Sequence, residues 1–113
     1  MNQAKAVSKF IRISPQKARL AADLIRGLKV EDASLQLQYC QLRGGSLIKK
    51  TLDSAVANAE TQMNAQRKDL VVKEVRIDCG PTMKRAKSKN KGGRVPILKR
   101  TSHFTVVVAT AAQ

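Results

Sequence analysis

One segment limits what this chain can fold into more than any other. From Lys84 to Arg100 it reads Lys-Arg-Ala-Lys-Ser-Lys-Asn-Lys-Gly-Gly-Arg-Val-Pro-Ile-Leu-Lys-Arg, with eight basic residues in 17 positions and no acid. Those eight (Lys84, Arg85, Lys87, Lys89, Lys91, Arg94, Lys99, Arg100) carry more than half of the formal charge of +14, leaving +6 for the other 96 residues. Such a segment cannot enter a core, because unpaired charge is too costly to desolvate. Apolar residues at strand-like spacing flank it, Leu70–Cys79 before and Phe104–Ala109 after, with Gly92-Gly93 near its middle. The pattern predicts a long hairpin whose end stays open until a polyanion completes it. With the turn near Lys91 and Gly92, Val75 falls opposite Val108, Ile77 opposite Val106 and Cys79 opposite Phe104, while Lys84 and Arg85 face Leu98, Lys99 and Arg100. Each arm would run roughly 60 Å at ~3.3 Å per residue, well past a body about 35 Å across. Opposed like charges cost a few tenths to ~1 kcal/mol per pair in a ladder; phosphates alongside would reverse that sign.

The rest of the chain predicts one domain over residues 1–113, with 80–103 as its extended basic hairpin. Residues 4–13 form a first strand. Ser14-Pro15 opens a helix, hydroxyl at the N-cap and proline where its missing N–H costs nothing. Ala18, Ala21, Ala22 and Ile25 share one face of that helix to Arg26, with Gly27 as a left-handed C-cap. A second helix runs from Val30 to about Cys40, with Glu31 and Asp32 in the first turn where the dipole favours them. The run Leu42-Arg43-Gly44-Gly45 breaks it. The strongest helical pattern covers Ser46 to Met63, where Ile48, Leu52, Ala55, Val56, Ala59 and Met63 form a stripe. Helices with an apolar face need a sheet to cover, and an isolated hairpin is marginal. The expected fold is therefore α+β: a three-stranded antiparallel sheet, three helices on one face, and a long protruding β-hairpin.

A sequence pI near 10.5 points to a nucleic acid or other polyanion as partner. Aromatic residues are few (Phe10, Tyr39, Phe104, no Trp), which argues against readers that stack bases on aromatic platforms. On the body, Arg12, Lys17, Arg19, Lys49, Lys50 and Arg76 are the candidate RNA contacts; Arg19 and Arg26 read equally well as a solvated helix face. Cys40 and Cys79 lie in no Cys-x-x-Cys pair and read as core thiols in a reducing compartment, with a disulfide or metal site the less favoured alternative. The single histidine, His103, has no carboxylate at a recognisable spacing, and no Gly-x-Ser-x-Gly or Walker loop occurs. Gly92-Gly93-Arg94 fits a flexible turn better than a phosphate nest. No catalysis, metal or cofactor is expected. The N-terminus lacks a signal-peptide apolar region, so a cytosolic or organellar location is expected.

Four blocks of this sequence are familiar in order and spacing. Leu98-Lys99-Arg100-Thr101-Ser102-His103 followed by Thr105-Val106-Val107-Val108 closely resembles the C-terminal signature of the bacterial-type large-subunit ribosomal protein twenty-two family. Gly80-Pro81-Thr82-Met83-Lys84-Arg85 is similar to that family's entry into its extended hairpin. Ser54 to Glu60 resembles its long helix, and Ser14 to Leu20 its first. The resemblance implies a small α+β body near the exit of the nascent-peptide tunnel, and a hairpin running inward along the tunnel wall. It implies large-subunit ribosomal RNA, ribosomal protein four and the nascent peptide as partners, in the cytoplasm, with no membrane and no DNA. It carries over Met83, Lys84 and Arg85 on the inbound arm, and Lys99, Arg100, Thr101, Ser102 and His103 on the outbound arm, and all of these but Met83 join the RNA-facing set, with Lys87, Lys89, Lys91 and Arg94. Met83, Lys84, Arg85, Ala86, Lys87, Ser88, Lys89, Asn90, Lys91, Gly92, Gly93 and Arg94 become the tunnel-lining tip. The stretch Ala86–Pro96 departs from the family's common pattern, being richer in lysine and lacking the Pro-Arg-Ala that often follows Met-Lys-Arg.

Two other classes share part of this pattern. A free RNA-binding or chaperone-like module would have the same charge but no large-subunit peak on sedimentation. A membrane-active cationic peptide fits less well, because the basic cluster has no amphipathic helical face.

Overall fold

The structure, a computed structural model, describes residues 3–88 and 94–110. Strand β1 (Gln3–Ile11) leads through Ser14 into helix α1 (Pro15–Ala22), followed by α2 (Val30–Gln38) and α3 (Arg43–Met63). A short 3-10 turn (Arg67–Asp69) precedes β2 (Leu70–Cys79), then β3 (Met83–Ser88), β4 (Arg94–Lys99) and β5 (Ser102–Thr110). β5 is the middle strand of an antiparallel sheet ordered β1-β5-β2, while β3 and β4 pair in a separate two-stranded sheet. The three helices cover one sheet face, as the apolar stripes require. Ala4 and Ala6, Val72, Val75 and Ile77, and Phe104, Val106 and Val108 meet Ala18, Ala21, Ile25, Leu37, Ile48, Leu52 and Ala55 in one buried cluster. The molecule is elongated, 64 × 25 × 17 Å. Its radius of gyration is 17.1 Å, against about 13 Å for a compact chain of this length.

Local chemistry fixes the start of α1. The Ser14 side chain accepts the Lys17 N–H at 3.3 Å with Pro15 in the first turn. Gly27 adopts the left-handed φ of +79°, but it closes the turn after the helix and is not the helix C-cap, which is Asp23. The first helix stops at Ala22, short of the expected Arg26, and Ile25 reaches the core from the turn that follows. The third helix starts at Arg43, three residues earlier than expected, and its first turn contains both glycines. Their role is close packing, since a Cβ on Gly44 would stand 3.3 Å from the Ala18 Cα, and one on Gly45 2.9 Å from the Cys40 Cβ. These residues let α3 approach α1 and α2, where the sequence pattern alone reads as a break. Neither cysteine is the core thiol expected from the sequence: the fold places Cys40 half-buried and Cys79 exposed instead.

The hairpin register also differs from the expectation. Val75 pairs with Val106, Ile77 with Phe104 and Cys79 with Ser102, two residues away from the simple ladder. Lys84 pairs with Leu98 and Arg85 with Ile97, one residue away. One residue of the offset is already present in the ribbon, and the second arises because the ladder is not continuous. Gly80, Pro81 and Thr82 on the inbound side face only Arg100 and Thr101 on the outbound side. A bulge at Lys73 adds a further shift, and it turns Val72 and Val75 to the same buried face despite their odd spacing. Burial of one face decides register more strongly than symmetry about a turn.

Candidate nucleic-acid interface

The backbone of β3 and β4 sets Lys84, Arg85, Lys87 and Arg94 along a two-stranded ribbon together with Met83, Ala86 and Ser88. The expected tip positions Lys89, Asn90, Lys91, Gly92 and Gly93 lie outside the described residues. Lys99 and Arg100 are exposed where the ribbon meets the body.

At that junction the structure separates residues the sequence had grouped. Thr101 and Ser102 are buried, 5% and 0% exposed, and so stand apart from the exposed Lys99 and Arg100. The Ser102 hydroxyl donates to the Ile13 carbonyl at 2.7 Å, and the Thr101 hydroxyl to the Pro81 carbonyl at 2.7 Å. The Gly80 N–H donates to the Thr101 carbonyl at 2.9 Å. A Cβ on Gly80 would sit 2.4 Å from the Thr101 Oγ1, so only glycine fits there. These three residues clamp the hairpin root, and the hydroxyls of Thr101 and Ser102 are directed at protein carbonyls instead of outward at RNA. His103 is half-buried and serves β1: its Nδ1 accepts the Phe10 N–H at 3.1 Å, and its ring meets the Phe10 ring edge-on at 5.0 Å. Phe10 lies at a register shift in β1 with φ of +60°, a conformation uncommon outside glycine, and His103 holds it there.

The body cations fall into three groups. Arg19 and Arg26 lie beside β2, an edge strand, and donate to the Ile77 and Val75 carbonyls at 2.9 Å each. Arg26 also pairs with Asp23. Farther along the same edge the Gly27 N–H donates to the Val72 carbonyl at 3.2 Å, and the Val72 N–H donates to the Leu28 carbonyl at 2.8 Å. The edge is thereby closed against pairing with another chain, and both arginines have a structural task that neither sequence reading foresaw. Arg76 is exposed and pairs with Asp78 at 3.1 Å on the sheet face away from the helices, while Lys49 and Lys50 lie on α3. Arg12, Lys17 and Arg100 come together with Arg43 around one groove beside the hairpin root. Arg43 is absent from the sequence-based set because the Gly44-Gly45 pair read as a loop; its place in a first helical turn is what aims it here.

An α+β body with an acid-free basic ribbon and exposed cations at its root has the build of a structural protein whose cationic surface suits a polyanion. The profile of the family described as "Ribosomal protein L22p/L17e" matches residues 6–109. The chain is 71% identical over 109 residues to the large ribosomal subunit protein uL22 of Protochlamydia amoebophila, covering 96% of this chain and 98% of that one. It is 60% identical over 104 residues to the protein of the same name from Chlamydia abortus, covering 92% and 94%. The Chlamydia trachomatis protein (serovar L2) is 54% identical over 109 residues, covering 96% and 98%. The chain belongs to this ribosomal protein family, in its bacterial form. As a member it is a structural constituent of the large ribosomal subunit, cytoplasmic in bacteria, and not an enzyme.

Proposed function

We propose that this protein binds large-subunit ribosomal RNA through its basic ribbon and hairpin root, with the body near the peptide exit and the hairpin lining the nascent-peptide tunnel. The observation that carries the reading is the density of charge: eight cations and no acid over Lys84–Arg100, in a chain of this family. Lysine and arginine at that density neutralise phosphates and release counterions, which gives affinity with little sequence information. The RNA supplies shape, and the contacts must exceed the entropy of ordering the segment that binds. The body side chains Arg12, Lys17, Lys49, Lys50 and Arg76 extend the contact. A ribosomal protein four neighbour and the nascent peptide complete the surroundings of the tip, and the protein holds RNA segments together during assembly. Cross-linking from single cysteines placed at positions 84 to 100, in intact large subunits, tests this. Adducts to ribosomal RNA along both arms, and to a stalled nascent peptide near the tip, are the expected result. A ribbon that cross-links only to solvent-side proteins would refute it.

A further inference from the structure

An open groove of about 1060 Å³ lies between α1, the start of α3 and the hairpin root. Its rim carries Arg12, Lys17, Arg43 and Arg100, all exposed, with no carboxylate among the described residues that line it. Its apolar surface is Leu20, Leu42 and Leu98, which are 57%, 43% and 46% exposed. A single exposed leucine is ordinary. Three from three separate elements, converging inside one ring of cations, form a concave apolar patch of the kind that marks a binding surface. The start of α3 adds to the positive potential, since its N-cap position, Leu42, supplies no side-chain cap.

The chemistry of the groove selects its occupant. Four cations call for phosphates, but phosphate alone leaves the leucines uncovered. The volume lies at the top of the roughly 300–1,000 Å³ range of small-ligand sites, so there is room for more than an anion. We infer that the groove takes one unpaired nucleotide of bound RNA, its base laid over Leu20, Leu42 and Leu98 and its flanking phosphates held by Arg12, Lys17, Arg43 and Arg100. Bases within a duplex are stacked and paired and cannot reach such a surface, whereas splayed bases of loops and bulges can. The position has a mechanical consequence. Leu98 and Arg100 belong to the hairpin arm and its root, Leu20 and Arg43 to the body, and the two sheets are not continuous. A nucleotide bound here bridges them and sets the direction in which the hairpin leaves the body.

This inference rests on the RNA-binding reading above, and the test separates the two. Full-length protein is titrated with a ten-nucleotide single-stranded oligoribonucleotide and with an RNA duplex of the same length. In Leu20→Ser/Leu42→Ser, single-strand affinity should fall about tenfold, within the range given by contacts to one base, while duplex affinity stays within about twofold. In Lys17→Gln/Arg43→Gln, which removes only exposed charge, the salt slope for the single strand should shrink by about 1.4, two phosphates at ~0.7 each. Leucine variants that bind the single strand like wild type, or that lose both RNA forms equally, overturn the nucleotide site. So does an unchanged salt slope in the charge variant, which remains informative if the leucine variant unfolds. Wild-type protein that binds neither RNA would instead refute the RNA-binding reading itself, and this inference with it.

Discussion

Replacing Ser102 by Ala tests whether the Lys99-to-His103 run is an RNA contact or a clamp. Ser102 is fully buried, and its hydroxyl donates to the Ile13 carbonyl at 2.7 Å, joining β5 to the segment between β1 and α1. The alanine variant leaves that carbonyl without this donor in a site water does not reach, at a cost of ~1–3 kcal/mol. Unfolding entropy near ~2.1 cal/mol/K per residue gives roughly 240 cal/mol/K for this chain, so Tm should fall by about 4–13 °C. Circular dichroism melts of the free protein read the shift directly. RNA affinity, measured well below both melting temperatures, should stay within about twofold of wild type, because the lost group faces protein. A variant that melts with wild type but binds RNA tenfold more weakly would refute the clamp and return Ser102 to the RNA-facing set.

Removing both Arg19 and Arg26 side chains by Ala substitution uncovers the Val75 and Ile77 carbonyls; with both arginines exposed, the loss should stay near ~1 kcal/mol each. The clearer readout is light scattering, where concentration-dependent association through the opened β2 edge is expected. Replacing Met83–Lys99 by a short Asn-Gly turn removes seven like charges but no residue of the β1-β5-β2 sheet. That protein should fold with unchanged or slightly raised Tm and keep part of its RNA affinity, and failure to fold would show that the ribbon belongs to the core. If about six to ten phosphates are neutralised, RNA affinity of the intact protein should fall roughly 10³–10⁵-fold between 50 and 200 mM salt, by the duplex-DNA rule. A nearly flat salt response would refute the electrostatic account.

What this sequence determines by itself is whatever acts over a few neighbouring residues. The Ser14-Pro15 cap, the turn at Gly27, the Ile48-to-Met63 stripe and the α+β order follow from dihedral preferences and periodicity within single elements. The acid-free run from Lys84 to Arg100 is legible for the same reason, since net charge needs no fold to be counted. Tertiary structure decides everything that depends on who stands opposite. Gly44 and Gly45 read as breakers until α1 and α2 come close enough to exclude a Cβ. The Lys73 bulge and the unequal arms at the root displace the register, because burying Val72, Val75 and Ile77 together outweighs symmetry about a turn. Thr101 and Ser102 are polar residues beside two cations, and only the approach of Pro81 and Ile13 turns their hydroxyls inward. Arg43 joins Arg12, Lys17 and Arg100 from positions 31, 26 and 57 residues away, a juxtaposition no local pattern encodes. Local preferences are short-ranged, whereas a binding surface is assembled from side chains whose proximity is a product of packing.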